Sequence, residues 1–190
     1  MLFLGDSITQ SWNAEGKQVF AEHFAPRGVF NAGVSGDRTQ HVLWRLDHGL
    51  LQALAANGND IRGVVLMIGT NNSNGNDNIA EEIAAGVQAI VARLRRGLPQ
   101  ARVLLLAIFP RGQRPDAQRA KNATASMLAA APFLGDAMVT CRDIGALFTA
   151  PDGTIEKQVM RDYLHLTAAG YGIWAQALLA DVDTMLGESR

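Results

Sequence analysis

Cysteine is nearly absent from this sequence, since Cys141 is the only one among 190 residues. A chain with a single cysteine cannot form an internal disulfide. This scarcity neither requires nor excludes an oxidising compartment. We expect Cys141, which lies in a predicted strand, to be a small buried apolar side chain.

Long apolar runs are also missing. No stretch approaches the ~20 apolar residues that a helix needs to cross a bilayer, so no membrane span is expected. The opening run Met1–Leu4 is too short for a signal peptide and lacks a charged leader. We expect a soluble protein and favour the cytoplasm, with secretion left open for the case that an upstream segment has been removed.

The sequence has no excess of either charge. Seventeen basic and 18 acidic residues give a net charge of -1, which provides no electrostatic attraction to nucleic acid or to an anionic membrane. Hydrophobic residues make up 48% and charged residues 18% of the chain, as in a compact globular protein. The length predicts a single domain over residues 1–190.

Short β-rich runs alternate with stretches of helical periodicity. The five runs are Met1–Leu4, Val29–Asn31, Gly63–Ile68, Val103–Ile108 and Met138–Asp143. The third and fourth are apolar on both faces, which is typical of parallel strands covered by helices on each side. Helical spacing is found in Gln40–Leu54, Ile79–Leu94, Ala117–Ala131 and Tyr171–Met185, and we expect Thr167 to cap the last helix. The alternation predicts an α/β fold with a doubly wound sheet.

Polar or glycine-rich segments follow three of these strands, and one more precedes the last helix. They are Gly5–Ser7, Asn31–Asp37, Gly69–Asn72 and Asp162–His165. In open parallel sheets ligands bind beyond the carboxyl ends of the strands. All four segments are expected at that edge, which makes it the candidate site.

The side chains in these segments are those that nucleophilic catalysis needs. The alcohol of Ser7 is a weak nucleophile and requires a base, for which His165 is the candidate. Asp162, three positions earlier, can accept a hydrogen bond from the second ring nitrogen of that histidine. A negatively charged tetrahedral intermediate needs hydrogen-bond donors, and the N–H groups of Ser7 and Gly36 and the amide of Asn71 are available.

Four short blocks, taken together, resemble the conserved blocks of the SGNH (GDSL-type) esterase and lipase family. The blocks are GDSIT, the glycine of VSGD, GTNN and DYLHL. The longer stretches NAGVSGDRTQHVLWRL and IFPRG resemble, more narrowly, the catalytic subunits of platelet-activating-factor acetylhydrolase and their bacterial relatives. The resemblance covers nearly the whole chain, and its one departure of note is GTNN in place of the commoner GxND.

This resemblance implies a fold and a set of roles. The fold is a three-layer α/β/α sandwich with a five-stranded parallel sheet in the flavodoxin-like order 2-1-3-4-5. Ser7 becomes the nucleophile, His165 the base and Asp162 the residue that orients it, while Gly36 and Asn71 join the Ser7 N–H in the oxyanion hole. No metal or organic cofactor is implied, and the relatives suggest a homodimer.

We therefore predict a serine esterase that forms an acyl-enzyme on a small-molecule ester. Ile8, Thr70 and Leu164 adjoin the site residues in sequence, and their methyl groups are expected to close a small acyl pocket for acetyl to butyryl chains. Two alternatives stay open: a thioesterase or lysophospholipase of the same family, and a non-catalytic flavodoxin-like module that holds a mononucleotide phosphate. The physiological ester also stays open.

Three further predictions concern residues outside the blocks. Trp44 and Trp174 lie on apolar helix faces and are expected in the core, whereas Trp12 either lines a pocket or packs in the core. The loop Asn72–Asn78 contains one carboxylate, Asp77, which is too few for a typical calcium loop. We interpret that loop as a solvated segment beside the site.

Overall fold

The computed structural model describes residues 1–56 and 61–187. Its centre is a five-stranded sheet in the order β2-β1-β3-β4-β5, and every pair of neighbouring strands is parallel. The strands are β1 (Leu2–Gly5), β2 (Phe30–Gly33), β3 (Gly63–Met67), β4 (Arg102–Leu106) and β5 (Val139–Arg142). The predicted sheet and its strand order are confirmed.

Helices cover both faces of this sheet. They are α1 (Ser7–Gln10), α2 (Lys17–His23), α3 (Thr39–Arg45), α4 (Leu51–Ala56), α5 (Ala80–Gly97), α6 (Ala117–Ala130) and α7 (Ala168–Leu186). Short 3₁₀ turns lie at Ser11–Asn13, Ala25–Arg27, Ala131–Phe133 and Gly145–Phe148. Within the described ranges, none of the helices combines the length and the apolar composition that crossing a bilayer requires.

Alternation of side chains along the strands divides the interior into two apolar layers. Phe3 and Leu104 face the cluster that contains the buried side chains of α7. Leu4 and Leu105 face the opposite cluster, formed with α3, α4, α5 and α6. The central strands are therefore buried on both sides, which explains why successive residues in their sequences are apolar without interruption.

An aromatic group fills the layer beneath α7. Trp12 and Trp174 are fully buried, with ring centroids 5.0 Å apart, and Tyr171 lies 4.4 Å from Trp12. The hydroxyl of Tyr171 donates to the carbonyl of Ile8 at 2.6 Å and so ties α7 to α1. Trp174 is in the core as predicted, and of the two alternatives for Trp12 the core position is the one observed.

The predicted helix Gln40–Leu54 is not continuous, and Trp44 is not in the core. A π turn at Leu46–Leu50 separates α3 from α4. Its cause is backbone conformation, because Gly49 has φ 118°, which is not helical. Trp44 is 60% exposed on α3, whose buried side is formed by other residues.

Two smaller expectations have different outcomes. Thr167 caps α7 as predicted, with its Oγ1 accepting the N–H of Gly170 at 3.3 Å. Cys141 is only half-buried, contrary to expectation. The reason is its place on β5, which is an edge strand of the sheet.

Candidate active site

Ser7 lies where β1 passes into α1, at the carboxyl edge of the sheet. Asp6 is the N-cap of this short helix, and its Oδ1 accepts the N–H of Ile8 at 2.9 Å. This cap holds Ser7 in the first helical position, so that its side chain can project beyond the sheet. The Oγ of Ser7 lies 3.0 Å from Nε2 of His165.

His165 is held by a tight turn that precedes α7. Its Nδ1 lies 2.7 Å from Oδ2 of Asp162, and the other carboxylate oxygen accepts the N–H groups of Leu164 at 3.1 Å and of His165 itself at 2.7 Å. Tyr163, in the middle of the turn, has φ 61°, a left-handed conformation that side chains rarely adopt and that occurs preferentially at functional sites.

The hydrogen bonds around Asp162 favour the ionised form of its carboxyl group. Partial burial disfavours the ionised carboxyl, but the hydrogen bonds and the charge interaction from His165 outweigh it and lower the pKa of Asp162. An ionised Asp162 accepts the Nδ1 proton of His165, which leaves Nε2 as an acceptor for the hydroxyl of Ser7. The three side chains thus form one hydrogen-bonded line.

The predicted oxyanion donors lie on two adjoining loops. Gly36, between β2 and α3, has φ 80°, and nothing lies within 4 Å of the position that a Cβ would take. Asn71, after β3, donates through Nδ2 to the carbonyl of Asp37 at 2.9 Å, which brings its amide to the loop of Gly36. Val34 on the same loop donates to the carbonyl of Gly5 at 3.1 Å, next to the segment of Ser7.

Two supporting contacts of these loops had no signal in the sequence. Asn72 is 3% exposed, and it accepts the N–H of Thr39 at 3.0 Å and donates to its Oγ1 at 3.2 Å. Arg45 pairs with Asp37 at 2.6 Å and donates to the carbonyl of Ala32 at 3.0 Å. Together they clamp the loops after β2 and β3 against α3.

A third supporting residue, Arg111, belongs to the IFPRG stretch, which the sequence analysis quoted but gave no role. Its Nη1 lies 3.2 Å from both the carbonyl oxygen and Oγ1 of Thr70, and 3.0 Å from Oδ1 of Asn74. Burial lowers the pKa of Arg111, and the charges of Asp116, Asp6 and Asp162 oppose that effect. Its guanidinium therefore fixes the turn that leads to Asn71.

Asp6 is the most strongly perturbed carboxyl at this edge. It is completely buried, and burial raises its pKa to about 7 against the opposing hydrogen bond from Ile8 and the charge interaction with His165. Among the residues that the structure describes, its Oδ2 has no hydrogen-bond partner.

The three residues predicted to form an acyl pocket differ in exposure. Ile8 and Thr70 are each 1% exposed, and the side chain of Ile8 belongs to the apolar cluster beneath α7. Leu164 is half-buried and packs against the same cluster.

Within the part of the chain that the structure describes, no metal centre competes with this site. Across residues 1–56 and 61–187, no three His, Cys, Asp or Glu side chains are grouped closely enough to hold a metal ion. A cavity of about 200 Å³ lies between α6 and the ends of β4 and β5, with Leu105, Ile108 and Met127 in its lining. That lining includes none of the residues of the hydrogen-bonded line.

Known proteins resemble this chain over nearly its whole length. The sequence model of the GDSL-like lipase/acylhydrolase family matches residues 3–173. Human platelet-activating factor acetylhydrolase IB subunit alpha1 is 38% identical over 190 residues, which cover 100% of this chain and 78% of the human protein. The rat subunit alpha2 is 38% identical over 171 residues, 90% of this chain and 70% of the rat protein.

A solved structure shows the same fold at lower identity. A catalytic mutant of an acetylxylan esterase from Geobacillus stearothermophilus superposes with a TM-score of 0.72 and 18% identity, over 95% of this chain and 92% of that one. The family match covers β2 to β5, all of β1 except Leu2, and the segments with Ser7 and His165. This chain therefore belongs to the GDSL-like lipase/acylhydrolase family and is a carboxylic ester hydrolase.

Proposed function

We propose that the chain is a serine esterase that hydrolyses acetyl to butyryl esters through an acyl-enzyme on Ser7. The observation that carries this proposal is the line of hydrogen bonds from Ser7 Oγ to His165 Nε2, at 3.0 Å, and from His165 Nδ1 to Asp162 Oδ2, at 2.7 Å. A nucleophile hydrogen-bonded to a base, which is hydrogen-bonded in turn to an orienting carboxylate, is the arrangement of the triad in serine hydrolases.

The reaction proceeds in two halves. His165 takes the hydroxyl proton as Ser7 Oγ attacks the ester carbonyl, and Asp162 stabilises the imidazolium that results. The negative oxygen of the tetrahedral intermediate accepts hydrogen bonds from the N–H groups of Ser7 and Gly36 and from the amide of Asn71. When the intermediate collapses, His165 returns the proton to the leaving alcohol. Water then repeats the sequence on the acyl-enzyme and releases the acid.

A small acyl pocket underlies the preference for short chains. Ile8, Thr70 and Leu164 supply its wall in the proposal, and the contacts between Arg111 and Thr70 keep one side of it in place. Each buried methylene contributes only ~0.8 kcal/mol of binding free energy. A wall that cannot move therefore rejects long chains by steric clash more strongly than burial attracts them.

A series of p-nitrophenyl esters from C2 to C12 tests the pocket. We expect kcat/KM to be highest from C2 to C4 and to fall steeply by C8. Leu164→Ala should move the optimum to longer chains, whereas Leu134→Ala, a change at a side chain that is 77% exposed, should leave the profile unchanged. An optimum at C8 or beyond contradicts the small pocket and favours a thioesterase or lysophospholipase.

Covalent labelling tests the nucleophile separately. A fluorophosphonate should add one phosphonyl group to the wild-type protein and none to Ser7→Ala. Ser11→Ala, a serine four positions further along the same segment, should label like the wild type. Labelling that survives Ser7→Ala would refute the assigned nucleophile.

A further inference from the structure

The loop between β4 and α6 contacts both sides of the candidate active site. This β4–α6 loop comprises residues 107–116 and contains the IFPRG stretch. Arg111 contacts the turn that carries Asn71, whereas the next residue, Gly112, contacts the turn that carries His165. Two neighbouring residues of one loop therefore reach the turn of a proposed oxyanion donor and the turn of the proposed base.

The contacts of Arg111 lie on either side of Asn71 in the sequence. Nη1 of Arg111 lies 3.2 Å from the carbonyl oxygen and from Oγ1 of Thr70, and 3.0 Å from Oδ1 of Asn74. The side chain of Asn71 makes its own contact by donating to the carbonyl of Asp37 at 2.9 Å. The position of the Asn71 amide therefore depends on a turn that the guanidinium contacts both before and after it.

The contact with the other turn is a backbone hydrogen bond. The N–H of Gly112 donates to the carbonyl of Tyr163 at 2.8 Å. Gly112 has φ 78° and Tyr163 has φ 61°, so both partners are in the left-handed conformation that side chains rarely adopt. A Cβ on Gly112 would also come within 3.1 Å of Oδ2 of Asp116. The turn with Asp162 and His165 is thus attached to the loop by a contact that requires this backbone geometry.

Arg119, in the first turn of α6, holds the β4–α6 loop in place. Its Nε donates to the carbonyl of Arg111 at 2.9 Å, and its two terminal nitrogens donate to the carbonyls of Gly112 and Gly153, each at 2.5 Å. A guanidinium presents its donors in a rigid planar fork, so it fixes the three acceptors relative to one another. Asp116, the N-cap of α6, accepts the N–H of Arg119 at 2.7 Å, which anchors the start of the helix that carries this side chain.

We propose that Arg111 is a positioning residue for ester hydrolysis, which holds the amide of Asn71 where the oxygen of the tetrahedral intermediate forms. Arg119 holds the β4–α6 loop, so that this donor and His165 keep a fixed separation. Both arginines act through other residues and not on the substrate. A misplacement of about 1 Å at a reacting centre costs up to about 100-fold in rate. This assignment rests on the proposed esterase function, because the separation matters only to an ester that Ser7 attacks.

A double-mutant cycle with Asn71 tests the role of Arg111. Arg111→Gln should lower kcat for p-nitrophenyl acetate by roughly tenfold to 100-fold, with KM changed by less than about twofold. In the Asn71→Ala background the same change should lower kcat by less than about threefold, because the donor that Arg111 positions is already gone. Arg111→Lys keeps a charged donor without the planar fork and should recover part of the loss. Arg114→Gln, at an exposed residue of the same loop, is the matched control and should leave kcat and KM unchanged.

Arg119→Gln should behave differently in the same cycle. It releases the contact of Gly112 with Tyr163 as well as Arg111, so the loss of kcat should exceed about threefold even in Asn71→Ala. A loss that disappears in that background would show that the loop does not position His165. Urea denaturation identifies the variants that are folded under assay conditions, and Arg119→Lys replaces Arg119→Gln if the latter is unfolded.

Nuclear magnetic resonance provides a readout that does not depend on hydrolysis. Asn71→Ala identifies the side-chain amide resonances of Asn71 by their loss from the ¹H–¹⁵N spectrum. Arg111→Gln should shift these resonances, whereas Arg114→Gln should leave them in place. Unshifted resonances in Arg111→Gln would overturn the proposal even if the esterase activity is normal. Inactivity of the wild type on every ester, together with shifted resonances, would refute the proposed function and leave the positioning of Asn71 intact.

Two kinetic results would also overturn the proposal. An equal loss of kcat from Arg111→Gln in the wild-type and Asn71→Ala backgrounds would show that Arg111 does not act through Asn71. A raised KM with unchanged kcat would show that the guanidinium binds the substrate directly.

Discussion

Two adjacent asparagines in the turn after β3 have different surroundings. Asn71 is half-buried and uses its amide for one contact, with the carbonyl of Asp37. Asn72 is almost completely buried, and its amide contacts Thr39, Gln40 and Asn78. The same type of side chain is therefore proposed to serve the reaction at position 71, whereas at position 72 it holds the fold together.

Alanine at each position should separate these roles. Asn71→Ala should lower kcat by roughly 10²–10³ while KM changes little, because the donor acts on the transition state. Asn72→Ala leaves the buried N–H of Thr39 without its acceptor and should lower the free energy of unfolding by about 1–3 kcal/mol. Steady-state kinetics and urea denaturation of both variants measure the two effects. A large loss of stability in Asn71→Ala with no loss of kcat would contradict the division.

Sequence reasoning predicted only part of the candidate site, because some of the residues that contact each other there are far apart along the chain. The sequence places Ser7 and Asn71 directly after predicted strands and His165 just before a predicted helix. Ligands bind beyond the carboxyl ends of parallel strands, so these three residues are predicted to lie close together. Their catalytic roles remain predictions. Arg111 contacts Thr70, which lies 41 positions earlier in the sequence, and no local sequence pattern predicts such a contact.

At the scale of elements, close packing of β2 against α1 positions the start of that helix. Asn31 donates from Nδ2 to the carbonyl of Gln10 at 3.2 Å, and it accepts the N–H of Gly33 at 2.9 Å. A Cβ on Gly33 would come within 2.2 Å of the backbone nitrogen of Gln10. Only glycine fits at this contact, because the atoms that it meets are backbone and cannot rotate away.

Alanine at two glycines should therefore have opposite effects. Gly33→Ala should push α1 away from β2 and lower the free energy of unfolding by more than about 2 kcal/mol. Gly172→Ala lies inside α7, where nothing occupies the space of a Cβ, and should raise it by about 0.4–1 kcal/mol. Urea denaturation of both variants provides the comparison. An unchanged free energy of unfolding in Gly33→Ala would show that the contact between β2 and α1 can adjust to the added methyl group.

Strands were easier to predict than the helix at Gln40–Leu54. Buried parallel strands are short apolar runs, so their predicted limits lie close to those observed for β3 and β4. The leucine spacing in Gln40–Leu54 is compatible with one continuous helix, so it gave no indication that the helix is interrupted at Gly49. A glycine inside a helical pattern is often tolerated, so only the three-dimensional contacts decide whether the helix continues.

For the molecule as a whole, the buried carboxyl of Asp6 links folding to pH. Its pKa is about 7 in the folded protein, against the model-compound value of 3.8. Between these values the folded state keeps a proton that the unfolded chain has released. The contribution of Asp6 to stability is therefore complete at low pH, and it is lost as the pH rises through that window. The difference corresponds to at most about 4 kcal/mol.

Asp6→Asn removes this titration and keeps an oxygen that can accept the N–H of Ile8. We expect the free energy of unfolding of the wild type to fall relative to that of Asp6→Asn as the pH rises from about 4 to 8. Urea denaturation at closely spaced pH values measures the difference. Parallel curves for the two proteins would show that the carboxyl does not titrate in this window.

The order of the proposed triad along the chain has a consequence for biosynthesis. Ser7 and His165 are separated by 158 positions, and ribosomes release the N-terminal part of a chain first. A nascent chain thus carries the proposed nucleophile long before it carries the proposed base, and β1 cannot be enclosed until β3 has been made. In the proposed mechanism a chain that ends before His165 is inert toward esters, so hydrolytic activity would report that translation has passed His165 and that the two distant segments have docked.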